Sequence, residues 1–228
     1  MGTSWYTWLE QGRDIKISEP IARAIGSALQ FSDDEFRYFY GLLGISLHLR
    51  DVPQPDASDA QDLANLVDSL EPCPAMILDD MWNIRGANHA TRLVFGLSDL
   101  DQNLLVYIFA NDVFRSRCAD FSRVAARAVA QFRASAVRNY DDPALERMVD
   151  KLSLQSEEFA SLWHSHKVLN QARGSREEIN HPEAGTLIFE TQVWTLDGFD
   201  STRLMVHLPA PGTCTRGKVS DLVRDAEG

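Results

Sequence analysis

Cysteine is scarce in this sequence: three residues, Cys73, Cys118 and Cys214, far apart and odd in number. None forms a CxxC pair, which argues against a zinc knuckle or redox dithiol, and reduced thiols in a cytoplasmic protein are expected. Apolar runs are short. None approaches the roughly 20 residues of a membrane-crossing helix, and the N-terminus lacks the basic-then-apolar order of a secretory signal. No membrane partner is expected. Positive charge is in deficit, with 22 Lys and Arg against 33 Asp and Glu and a net charge of -11. This excludes broad attraction of nucleic acid over the whole surface. It leaves room for a local groove-reading element, because exposed charges act over about 10 Å at ordinary salt. There is no GxSxG elbow, no HExxH and no glycine-rich phosphate loop, and no carboxylate pair stands out in an apolar setting. Neither an enzyme nor a bound cofactor is expected.

What is present is a globular composition: 228 residues, 44% hydrophobic and 24% charged, enough for a sizeable core. Aromatics crowd the start, where Trp5, Tyr6 and Trp8 fall in WYTWLEQGR. Ser4 caps a short predicted helix running to about Gln11, and Gly12 stops it. Ser18, Glu19 and Pro20 open a second helix with Ile21, Ile25, Ala28 and Leu29 on one face. SDDE reads as a capping box from Ser32 to Glu35, ahead of a stripe through Phe36, Tyr40 and Leu43. RDVPQPDASDAQD then carries prolines and aspartates with almost no large apolar side chain, which predicts a linker over 50–71 with a short helix from Leu63 to Leu70 at its end.

A second region begins near Pro72. PAMILDD and NIRGANHA predict two short strands around a turn at Asp79 and Asp80. A long helical block follows, with Phe121, Val124, Ala125, Ala128, Val129 and Phe132 recurring at 3.6 spacing and Arg123, Arg127 and Gln131 opposite. Asp142 caps the next helix and Pro143 occupies its first position, burying Leu145, Met148, Val149 and Leu152. SEEFASLWHSHKV adds a stripe through Phe159, Leu162 and Trp163. The pattern then switches to period two in EEINHP, GTLIFETQVWTL and STRLMVHLP, three strands joined by turns at 183–185 and 197–198. Strands at both ends with helices between them predict an antiparallel sheet with helices on a face, an α+β domain. The residues after Pro211 are predicted to be a disordered tail.

These motifs carry a family resemblance. WYTWLEQGR, a short polar link, a capping serine and an apolar helix resemble the recognition-helix end of a repressor-type (XRE-like) helix-turn-helix, in the version of MmyB-like transcription regulators of actinomycetes. PAMILDD with GAN, a long helix ending AQFR, DPALERMVDKL, SEEFASLWHSHKV and HPEAGTLIF resemble the same family in the same order. The resemblance implies a partial, all-α DNA-binding head over 1–49, the linker over 50–71, and a PAS-like ligand-binding domain over 72–210 with a five-stranded antiparallel sheet, followed by a tail over 211–228. It also implies a fatty acid as the kind of ligand. Two departures stand out. The family's head has two helices ahead of the recognition helix, and none precedes it here, so autonomous DNA binding is expected to be weak or lost. Phe121 stands about where the family usually has tryptophan.

In helix-turn-helix geometry the first residues of the recognition helix meet base edges, which makes Thr3, Ser4, Tyr6 and Thr7 the candidates, with Gln11, Arg13 and Lys16 reaching bases or phosphates. Trp8 and Leu9 are core, and Trp5 is either. A homodimer is expected, since such heads usually read two half-sites. Candidate liners of an apolar cavity are Phe114, Phe132, Leu162, Trp163, Phe189 and Val193, each of which also fits a plain core role. Arg133 is either the partner of a carboxylate head group or a structural ion-pair residue. His164 and His166, two apart on a helix, point away from each other, and His181 joins them only by tertiary accident, so no metal is expected. Cys118 lies in RSRCADF near arginines able to lower its pKa; the competing reading is a half-buried structural thiol. Two functions compete: a ligand-responsive transcription regulator, and a ligand-binding or dimerising module without DNA activity of its own.

Overall fold

The computed structural model describes residues 18–31, 39, 43, 57–136, 142–165, 176–196, 199 and 202–227. The chain divides into two compact units, Met1–Asp51 and Val52–Gly228.

In the first unit, α1 spans Glu19–Ala28. Ser18 stays extended and its carbonyl accepts from Ile21 and Ala22 N–H, while its side chain makes no capping bond. Pro20 sits in the first turn, where its missing N–H costs nothing. The helix closes when Gln30 turns into the left-handed region, φ 56°, and Phe31 N–H reaches the Gly26 carbonyl. Its buried side is Ala22, Ile25 and Gly26. The predicted stripe is therefore corrected at its C-terminal end: Ala28 and Leu29 are exposed, because the buried strip ends at Gly26. Phe31 packs edge-on against Phe39 at 5.4 Å. The predicted capping box, Phe36 and Tyr40 lie outside the described residues.

The second unit is built on a five-stranded antiparallel sheet in the order β2-β1-β5-β4-β3. Its strands are β1 (Ala75–Leu78), β2 (Ile84–Ala87), β3 (Arg176–His181), β4 (Gly185–Thr195) and β5 (Arg203–Pro209). These are the strands expected from the alternation, and the β1–β2 turn falls at Asp79 and Asp80. Both faces of β1 are buried. On one face Ala75, Ile77, Leu204 and Val206 pack under Leu63 and Val67 of α2 (Ala57–Asp68). Residues 57–68 of the expected linker are thus a packed helix, and the reason is that Leu63 and Val67 at i, i+4 find an apolar sheet face.

The other face carries the main core. Over it run α3 (His89–Phe95), α4 (Leu104–Ala110), α5 (Asp112–Arg117), α6 (Phe121–Ala136), α7 (Pro143–Gln155) and α8 (Glu157–His164). Asn88 joins the layers. Fully buried, its Oδ1 accepts from Ala75 N–H, Thr91 N–H and the Thr91 hydroxyl, while Nδ2 donates to the Val67 and Cys73 carbonyls. One asparagine side chain therefore ties α2, β1 and the start of α3, which explains the asparagine of the GAN motif. The caps of α7 and α8 are Asp142 and Ser156, each accepting from a backbone N–H in the first turn.

The expected disordered tail is a helix. α9 (Thr215–Glu227) follows Pro211 and Gly212 and packs on β4 and α3. Val219 is fully buried with Leu222 and Val223 against the same core, and the Thr215 hydroxyl accepts from Ile188 N–H at 2.9 Å. Three apolar residues at i, i+3, i+4 suffice because the sheet supplies the partner surface.

Candidate ligand-binding site

The strand alternation dictates what points at the main core. β3 reads exposed-buried from end to end, which turns Glu177, Ile179 and His181 inward. On β4 the inward set is Leu187, Phe189 and Thr191, and on β5 it includes Met205 and His207. The register pairs Glu177 with Phe189 and Thr191 with His207. Polar residues from three strands therefore meet at one point under the helices.

There α6 supplies the remaining charge. Val124, Arg127, Ala128 and Gln131, one helical face, line a cavity with Leu104, Tyr107, Phe114, Met76 and Met205 on its apolar walls. Its volume is about 60 Å³, room for a few waters and well under the ~300–1,000 Å³ of typical small-molecule pockets. The predicted facing of α6 is corrected here: Arg127 and Gln131 line the cavity, because the helix is covered on more than the Phe132 side. Arg123 donates to the Arg176 carbonyl on β3.

The polar end is a closed network. Arg127 Nη1 lies 2.8 Å from Glu177 Oε1. The Thr191 hydroxyl donates to Glu177 Oε2 at 2.8 Å and stands 2.9 Å from His207 Nδ1. Having given its one proton to an acceptor-only carboxylate, Thr191 must receive from His207, which assigns a proton to Nδ1. His207 Nδ1 is also 3.5 Å from Glu177 Oε2, and its ring packs on Phe95 at 4.6 Å. Burial pushes the Glu177 carboxyl upward, but the hydrogen bond and charge of His207, with Arg127 and Thr191, outweigh it and hold the group down at about 2.

Trp82 forms the wall beside the hairpin. Its backbone takes φ 61°, in a region that a bulky side chain adopts at a cost of about 1–3 kcal/mol. The conformation is held from both sides. Asp79 Oδ1 accepts from Met81 and Asn83 N–H, both at 2.9 Å, and Asn103 Nδ2 donates to the Met81 carbonyl while Leu104 N–H reaches the Trp82 carbonyl. The indole is 2% exposed, and its N–H has no partner among the described residues.

The residues predicted from sequence are distributed differently. Phe114 lines the cavity. Phe132 and Phe189 are fully buried in the surrounding core, and Leu162 and Trp163 pack at its edge. Val193 is 38% exposed, in an adjoining groove with Leu78 and Arg203 that shares Trp82, Gln131 and Met205 with the cavity. Arg133 does not line the cavity: its guanidinium donates to the Leu162 and Trp163 carbonyls at 2.9 and 2.7 Å, closing the end of α8, and stacks over Trp163. Phe121 packs edge-on to Phe109 under Arg115 and is not among the residues that line the cavity. Thr3, Ser4, Tyr6, Thr7, Gln11, Arg13 and Lys16, the DNA-facing candidates, lie outside the described residues, as do Trp5, Trp8 and His166.

Histidine and cysteine chemistry resolve into structure. His181 Nδ1 accepts from Glu183 and Ala184 N–H in the β3–β4 turn and Nε2 faces the Leu93 carbonyl of α3 at 3.2 Å, so both nitrogens are engaged. Burial holds this imidazole below its ordinary value. His164 Nδ1 lies 2.7 Å from the Ala160 carbonyl, closing the helix on itself. No group of three or more His, Cys, Asp or Glu is placed to hold a metal ion among the described residues. Cys118 is buried at the end of α5, and burial together with the Glu177 charge pushes its thiol up to about 12. The nearby arginines do not make it reactive. No helix among the described residues is long and apolar enough to cross a membrane.

One antiparallel sheet with helices over its inner face, and between them a small apolar cavity ending in a charged network, define an α+β domain. Residues 60–222 match the MmyB-like transcription regulator ligand binding domain, and the chain belongs to that family. The match begins within α2 and runs into α9, so both belong to the domain. No curated protein matches the chain.

Proposed function

We propose that this chain is a cytoplasmic transcription regulator without a reaction of its own, in which a small apolar molecule occupies the cavity and changes how DNA is read. The observation that carries the reading is an apolar cavity with one polar end, inside a domain of a ligand-binding regulator family. An aliphatic chain, of the kind a fatty acid carries, suits the walls, since each buried CH2 contributes about 0.8 kcal/mol. Such a chain has to widen the cavity. Met76 and Met205 stand in the wall, and unbranched thioether side chains repack at low cost. DNA contact falls to Thr3, Ser4, Tyr6 and Thr7, with Gln11, Arg13 and Lys16, in a homodimer on paired half-sites.

Native mass spectrometry after mild purification, with thermal shifts on adding aliphatic ligands, tests the sensor half. A co-purified apolar molecule or a shift of several degrees is expected; a protein always free of ligand and indifferent to every chain length overturns it. Anisotropy titration of the 228-residue chain on its own promoter tests the DNA half. Sequence-specific binding supports it, and its absence favours a ligand-binding module without DNA activity of its own.

A further inference from the structure

The inner face of the sheet continues past the cavity. The register sets side chains on it in successive rungs: Thr191 beside His207, then Val193 beside Met205 and Met76, then Thr195 beside Arg203 and Leu78. The first rung and Met76 line the cavity, while Val193 and the last rung line the adjoining groove. Opposite them α6 follows by successive turns, with Ala128 and Gln131 over the cavity and Gln131, Ala134 and Ser135 over the groove. The two hollows are therefore stretches of one slot between sheet and helix, which covers ~13 Å from His207 to Arg203 at the rise of a strand. Trp82, Gln131 and Met205 stand in both walls and form the partition.

Neither hollow suffices alone. The cavity holds about 60 Å³ and the groove about 230 Å³, and joined they reach the low end of the ~300–1,000 Å³ of small-molecule sites. Val193 gives a second sign. It takes the inward register of β4, where an apolar side chain is normally covered, yet it is 38% exposed. Apolar surface thus stands bare at the outer end of the slot. The partition can yield there, since the unbranched thioether of Met205 repacks at low cost. The ends also differ in access to water. Arg127 and Glu177 close the inner end, paired with each other at 2.8 Å, whereas the groove is open and lets a charged head group keep its hydration. We propose that the groove is the outer half of the ligand site: an aliphatic carboxylate lies along the slot with Met205 displaced, its tail in the cavity beside Met76 and its head in the groove beyond Val193. This rests on the reading of the cavity as the ligand site.

Decanoate added to the full chain is the probe. Nuclear Overhauser contacts are expected from its terminal methyl to the Met76 methyl, and from the CH2 beside its carboxylate to the Val193 methyls. Each protein signal is identified as the one missing from Met76→Leu or Val193→Ala. Calorimetry supplies the second readout. Ala134→Trp fills the groove from an exposed position that lines the groove and not the cavity. It should weaken decanoate at least about tenfold, since each CH2 kept from burial is worth about fourfold in affinity. Leu100→Trp, equally bulky, 90% exposed and outside both hollows, should bind as the natural chain does. Contacts to Met76 without Val193, a carboxylate end beside Met76, or equal affinities in the two tryptophan variants overturn the proposal and leave the cavity standing as the ligand site. Contacts to Val193 without Met76, or no binding of decanoate to the natural chain, overturn the proposal and the ligand-site reading together.

Discussion

Acid should loosen this domain through one identifiable carboxylate. Glu177 titrates near its ordinary 4.5 in the unfolded chain and at about 2 in the folded one. A depressed folded value means that the native state binds fewer protons than the unfolded state between those limits. The stabilisation is complete above about pH 5 and is lost as pH falls through 4.5 toward 2. The difference of two to three pH units corresponds to about 3 kcal/mol, a large part of the ~5–15 kcal/mol by which domains are stable. Burial of the carboxylate beside Arg127, Thr191 and His207 justifies using it nearly in full. Urea titrations of the natural chain and of Glu177→Gln from pH 7 to pH 3 measure it, since the difference between the two curves cancels every other acid group. Glutamine keeps an acceptor for Arg127 but cannot be protonated in this range, so the gap between the proteins should shrink steadily below pH 4.5. Parallel curves down to pH 3 would refute the assigned network. His181 contributes a loss that starts at higher pH, since its lowered value makes protonation destabilising from about pH 6.5 downward.

Three further perturbations probe the frame around the site. Asn88→Ala removes a residue whose side chain holds Ala75, Thr91, Val67 and Cys73, and should cost about 3–5 kcal/mol in a urea titration because several buried groups lose partners at once. Val219→Asp places a charge at a fully buried position of α9 and should cost at least ~3 kcal/mol; a loss below about 0.5 kcal/mol would mean that the C-terminal segment does not pack. Thiol titration with a chromogenic disulfide at pH 8 should find exposed Cys214 reacting at once and buried Cys73 and Cys118 only after denaturation. Fast modification of Cys118 in the native protein would contradict a thiol pushed up to about 12.

Local pattern is legible in the sequence and placement is not. The five strands, the cap at Asp142 and the buried side of α6 all follow from neighbours within a few residues, which a sequence displays directly. α9 reads as a tail because GKVSDLVRDAEG is mostly polar, and three apolar side chains look insufficient until a sheet is put beneath them. The first half of α2 reads as linker for the same reason. Arg133, which follows an apolar turn, fits a head-group partner or a structural ion pair in the sequence, and only the fold reveals the carbonyls of α8 beside it.

The charged network is hidden more deeply, and for an instructive reason. Arg127 reads as the outer face of a helix, since it lies away from Ala125, Val129 and Phe132, and nothing local says that the helix is covered on a second side. Glu177, Thr191 and His207 do leave a trace: each occupies the inward register of its own strand, in line with Ile179, Phe189 and Met205, where an apolar residue is the rule. One polar residue at such a position is unremarkable. Three of them, on strands that must pair because consecutive antiparallel strands are neighbours, require a fourth partner to balance the carboxylate, and the long helix opposite carries the arginine. Alternation therefore contains the site as an unmet electrostatic demand, which only the pairing of β3, β4 and β5 beneath α6 turns into a location.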